Sequence, residues 1–124
     1  MNTDAELERR DGYAVFRTTG ETTLDGAVAL VTSAINAARE QGIKKLLVDI
    51  AGLTGFEPPS AGERYLFVAE WARAARSVVR MALIAERRMI DPGKYGVSVA
   101  HSLGFAADAF ITEHAALEWL LSTA

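Results

Sequence analysis

The chain contains no cysteine. That excludes disulfides, thiol nucleophiles and thiolate metal sites at once. Proline is nearly as scarce, with three residues at Pro58, Pro59 and Pro92, so most of the chain is free to form helix or strand. The two histidines, His101 and His114, fall in separate predicted helices without the close spacing of a zinc motif. No metal site is expected from them. There is no Gly-x-Ser-x-Gly elbow and no glycine-rich phosphate loop, and no cofactor is expected either. No apolar run approaches the roughly 18–20 residues that a membrane span needs. The opening stretch MNTDAELERRDG is polar and lacks the apolar centre of a signal peptide, so the expected compartment is the cytoplasm. Basic residues number 13 and acidic ones 16, for a net charge of -3. That balance speaks against a nucleic-acid partner. The arginines at 73, 76, 80, 87 and 88 read as a solvated helix face and a basic loop.

What remains is an ordinary globular composition, half hydrophobic and 23% charged over 124 residues. Such a length fits one domain, 1–124, around one core. Asp11-Gly12 separates two short alternating runs, which predicts a hairpin with strands at 5–10 and 13–18 and positive φ at both turn residues. Leu24, Ala27, Val28, Val31, Ala34, Ile35 and Ala38 recur at helical spacing, so a helix is expected over about 23–41, closed by Gly42. Leu46 to Ile50 is an apolar run without alternation, which suits a central strand covered on both faces. Ser60 stands three residues before Glu63, the spacing of a capping box, and opens a helix expected over 60–77. A strand over 78–85 follows, then a loop. Asp91-Pro92 predicts the start of a short helix to about 102, Ala109 to Ile111 a strand, and Thr112 the cap of a last helix over 113–122.

The order ββαβαβαβα implies an α/β fold. It would hold a single mixed, mostly parallel five-stranded sheet, with the first strand antiparallel and about four helices. Same-handed crossovers between neighbouring strands put the helices on one face. In such a sheet the functional site usually lies at the carboxyl ends of the strands, here between Asp49 and Glu63.

The run Leu46-Leu47-Val48-Asp49-Ile50-Ala51-Gly52-Leu53-Thr54-Gly55-Phe56-Glu57 resembles the STAS domain of bacterial anti-sigma-factor antagonists. Gly62 to Tyr65, Met81 to Ala85, Met89 to Val97 and Glu118-Trp119-Leu120 resemble the SpoIIAA-like, or STAS-like, branch of that fold. The resemblance covers most of the chain. It implies a non-catalytic regulatory domain that works by protein–protein interaction. One departure matters. Where the antagonists carry Asp-Ser-Ser/Thr-Gly, with a serine phosphorylated by a partner kinase, this chain has Glu57-Pro58-Pro59-Ser60. Proline, which has no hydroxyl, occupies the phosphoacceptor's place. Ser60 is the nearest substitute phosphoacceptor, and its capping role accounts for it without a phosphate.

Three functions are therefore weighed. In the first, Glu57, Pro58, Ser60, Phe67 and Trp71 form an interaction surface for a protein partner or a homodimer. The helix over 60–77 shows two apolar stripes, one through Tyr65, Val68, Ala69, Ala72 and Ala75 and one through Phe67, Trp71, Ala74 and Val78. The second stripe is either exposed for recognition or packed under a neighbouring helix. In the second function, loop 51–60, loop 86–95 and the sheet edge enclose a small apolar ligand such as a lipid tail. In the third, Asp49 and Glu57 act as an acid/base pair, a reading to abandon if no closed pocket joins them.

Overall fold

The structure is a computed structural model that describes residues 6–122. The first strand, β1, covers Glu8–Arg10 and pairs antiparallel with β2, Tyr13–Glu21. The beginning of the expected 5–10 strand, at Ala5, lies outside the described residues. Positive φ falls on Gly12 alone, at 85°, so the turn asks for glycine at one central position and not at both. On β1, Arg10 bonds to and pairs with Glu8, holding that carboxyl below its usual range.

Three parallel pairings extend the sheet through β3 (Lys45–Thr54), β4 (Arg80–Ile84) and β5 (Ala107–Phe110), in the order β1-β2-β3-β4-β5. Consecutive strands are neighbours throughout, the common arrangement for alternating strands and helices. Two strands run longer than expected. Thr19, Gly20 and Glu21 are strand, not loop, because they pair with Gly52, Leu53 and Thr54 of β3. The ladder slips between these two stretches: Arg17 faces Asp49, but Thr19 faces Gly52. Two residues of β3, Ile50 and Ala51, thus oppose one of β2, which is a bulge. A bulge reverses which face later residues occupy. It turns Leu53 away from the side of Leu47 and Ala51 and buries it on the side of Leu46, Val48 and Ile50.

Helix α1 (Leu24–Glu40) starts at Thr23, whose hydroxyl accepts from the Gly26 N–H at 3.0 Å. Helix α2 (Ala61–Ala75) carries the complete capping box: Ser60 Oγ accepts from the Glu63 N–H at 3.1 Å and Glu63 Oε1 from the Ser60 N–H at 2.8 Å. It stops earlier than expected, since Arg76 and Ser77 take left-handed conformations, with φ of 50° and 59°. Helix α3 (Tyr95–Ser102) starts later than the Asp91-Pro92 pair suggests. Asp91 instead reaches forward, and its carboxylate accepts from the Tyr95 N–H at 2.9 Å. A single 3-10 turn, Arg87–Met89, interrupts the loop before it. Helix α4 (Glu113–Leu121) is capped by Thr112, which accepts from the Ala115 N–H at 3.2 Å.

The helices do not all share one face. The three crossover helices α1, α2 and α3 pack over one side, burying Val31, Ala34, Ile35, Val68, Trp71, Val99 and Ala100 against Leu46, Val48 and Met81. No strand follows α4 among the described residues, so the handedness rule for crossovers does not place it. It packs on the opposite side, where Ala116 and Leu120 meet Val15, Leu47, Ala82 and Ile84.

Candidate functional site

The crossover helices leave a gap above the sheet. A partly open cavity of about 110 Å³ runs along β4 and β5, from Met81 and Ala107 near their starts to Ala85 and Ala109, and reaches the carboxyl half of β3 at Ile50 and Leu53. The loops after β3 and β4 border it at the end where α/β sheets usually hold their ligands. Its floor is Ile50, Leu53, Leu83 and the small residues Ala85, Ala107 and Ala109. Phe67, Val68 and Trp71 of α2 and Gly96, Val97 and Ala100 of α3 form two walls. Phe56 and Pro59, from the loop after β3, Met89 and Ile90, after β4, and Leu24 and Val28 of α1 also line it. The void has a simple cause. Alanine and glycine stand on both sides of a space where larger side chains would meet.

Arg64 joins the two loops. Its Nη1 donates to the Met89 carbonyl at 3.1 Å, its Nη2 to the Pro59 carbonyl at 3.4 Å, and its Nε lies 3.6 Å from Asp91 Oδ1. The side chain is only 14% exposed. Gly96 lets it lie there: a Cβ at that position would stand 3.1 Å from Arg64 Cδ. A second ion pair, Lys94 Nζ to Asp108 Oδ1 at 2.8 Å, stands where α3 meets β5. The lining is thus apolar within and ion-paired where it is polar, the usual build of a small-molecule site.

The expected interaction surface divides. Glu57, Pro58 and Ser60 are exposed, on the outer side of the loop whose Phe56 and Pro59 line the cavity. Trp71 is 5% exposed and cannot belong to a surface, and Phe67 is half-buried against it with ring centroids 4.7 Å apart. The burial of Trp71 has a geometric reason. Helix α2 is the middle one of three and packs against both α1 and α3, so its buried arc straddles the two apolar stripes. The Trp71 Nε1–H donates to the Val28 carbonyl of α1 at 3.3 Å, so the ring is buried without an orphaned donor. The exposed apolar side chains of α2 are instead Tyr65, at 46%, and Leu66, at 69%. Leu66 belongs to neither stripe. Arg64 also escaped a reading based on apolar spacing, because its role is in its reach and not in its period.

Asp49 and Glu57 are not brought together. Asp49 alternates with Val48 and Ile50 and therefore faces the α4 side. There its Oδ2 pairs with Arg17 Nε at 3.1 Å and its Oδ1 accepts from the Ala51 N–H at 3.1 Å. Arg17 also holds Glu113 at the start of α4, at 2.6 Å. Neither Asp49 nor Glu57 lines the cavity. His101 sits at the end of α3 with Nε2 3.1 Å from the Ala107 carbonyl, and His114 lies in α4 near Glu118.

No family model matches the chain, and no curated protein matches it. Among solved structures it is similar to the unphosphorylated form of the anti-sigma factor antagonist SpoIIAA. The TM-score is 0.49 at 20% sequence identity, over 97% of this chain and 98% of that one. No helix among the described residues is long and apolar enough to cross a membrane.

Proposed function

We propose that the chain is a non-catalytic binding domain whose ligand is a small apolar molecule held between the sheet and the three crossover helices. The observation that carries this reading is the apolar cavity between β3, β4 and β5 and the crossover helices. Filling such a space removes apolar surface from water, at about 25 cal/mol per Å². The assignment of Asp49 to Arg17, on the other face, supports binding over acid/base chemistry. The test is extraction of freshly purified protein with organic solvent, followed by mass spectrometry and a thermal-shift screen of small apolar compounds. A saturating ligand at 100 times its Kd should add about 2.7 kcal/mol to stability. Empty extracts together with an unmoved melting temperature across the screen would end this reading.

A second reading is favoured by a separate observation. Tyr65 and Leu66 are exposed on α2, within a few residues of the exposed Glu57, Pro58 and Ser60. That patch supports the regulatory, protein-binding role implied by the resemblance to anti-sigma-factor antagonists, with a protein partner or a second copy as its occupant. Ser60 remains the candidate phosphoacceptor there. Leu66→Asp should abolish partner capture or self-association without unfolding the chain. Unchanged sedimentation and pull-down behaviour would remove the patch from consideration.

A further inference from the structure

We infer that the cavity selects a compact, uncharged molecule of about single-ring size, and rejects both organic acids and long acyl chains. This rests on the ligand-binding reading above and narrows it. Size is the first argument. The cavity, about 110 Å³ and partly open, is of the same order as the ~150 Å³ closed void that takes one benzene, so it takes a single ring with at most a small substituent at the open side. A lipid tail would have to leave most of its length outside, where it gains nothing from burial.

Charge is the second argument. The lining includes two cations, Arg64 and Lys94, and three carboxylates, Glu86, Asp91 and Asp108. Each has a partner already: Arg64 with Asp91, Lys94 with Asp108, and Glu86 with Arg88 at 3.5 Å. A carboxylate ligand would find no unpaired cation and would have to displace Asp91 or Asp108 from its partner. Breaking a partly buried pair without a better replacement is unfavourable. A cationic ligand would face Arg64 and Lys94 in the same way. The third argument is the lack of a spare donor where it would matter most. The Trp71 N–H is spent on Val28, leaving the indole face for contact with a ring or a branched aliphatic group.

The test uses the two tryptophans. Trp119 packs near Phe110, on the α4 side, so a W119F variant leaves Trp71 as the sole indole. Its emission is titrated with toluene, benzoate, benzylammonium and decanol. Methyl NMR shifts of Leu83 and Val97 in the unaltered protein give a second reading that does not depend on the variant's folding. Toluene should produce a saturable change roughly tenfold tighter than the other three. Benzoate or benzylammonium binding as well as toluene would overturn the selection for neutral ligands, and decanol binding more tightly would overturn the size limit. Either result would leave the ligand-binding reading standing. No response from any of the four would remove both.

Discussion

On one side of the sheet a single helix meets Val15, Leu47, Ala82 and Ile84, and its own Ala116 and Leu120 are fully buried. Trp119 closes that side: the Arg80 guanidinium lies 3.7 Å from its ring centroid, and Arg80 Nη2 donates to the Trp119 carbonyl at 2.9 Å. On the other side three helices cover the same strands yet leave about 110 Å³ unfilled. More cover has produced looser filling. The difference lies in side-chain size and in what roofs each layer. Under α4, Leu47, Ile84 and Leu120 fill the layer around Ala82 and Ala116, whereas Ala85, Ala107, Ala109, Gly96 and Ala100 face the gap on the other side. Interiors are normally packed to crystal-like density, so a void of this kind marks the side with room for another molecule.

The largest effect should come from adding the same bulk to both sides. Ala116→Leu forces a side chain into a filled layer and should cost about 1–3 kcal/mol. Ala109→Leu places it in the gap and should leave stability unchanged or raise it by about 1 kcal/mol. Urea midpoints measure both. Equal losses would mean that the two layers are equally full and that the cavity is not a real vacancy. Ala109→Leu should also abolish any ligand-induced rise in melting temperature.

Arg64 offers a sharper cut, because it acts on the roof and not on the floor. Arg64→Met keeps an aliphatic stem beside Gly96 and Val68 but loses the bonds to Met89, Pro59 and Asp91. The cost should be about 1–3 kcal/mol, the range for leaving a buried polar partner without its hydrogen bond. Amide exchange should rise over residues 56–60 and 86–91 while α4 keeps its protection. A uniform rise across both layers would show that Arg64 supports the whole fold and does not tie two loops.

Much of this comparison was open to the sequence. Period and turn chemistry gave five strands, four helices and their order, and named both loops that border the cavity. The bulge was not visible. Ala51-Gly52-Leu53-Thr54 reads as loop, and only pairing with Thr19, Gly20 and Glu21 makes it strand. The burial of Trp71 was equally hidden, because apolar spacing gives the width of a helix face but not which neighbours stand on either side of it. The position of α4 failed for a different reason. The handedness rule governs connections between parallel strands, and nothing follows α4 to be connected among the described residues. Arg64 is legible only in three dimensions, since its partners lie in loops on either side of the cavity.

The smallest effect compares the helix starts that serve the two layers. Ser60 opens α2 over the cavity with a reciprocal pair of bonds, and Thr112 opens α4 with one. Ser60→Ala and Thr112→Ala should each cost about 0.5–2 kcal/mol, since each frees a helix N–H that its hydroxyl now satisfies. Their consequences should differ in place. Pro59 precedes the cap and lines the cavity, so Ser60→Ala should weaken ligand response beyond its effect on stability. Thr112→Ala should lower the urea midpoint and leave the Kd for toluene where it was. If both variants shift that Kd alike, the two layers are coupled through the sheet, and the division between a filled face and a receptive one does not hold.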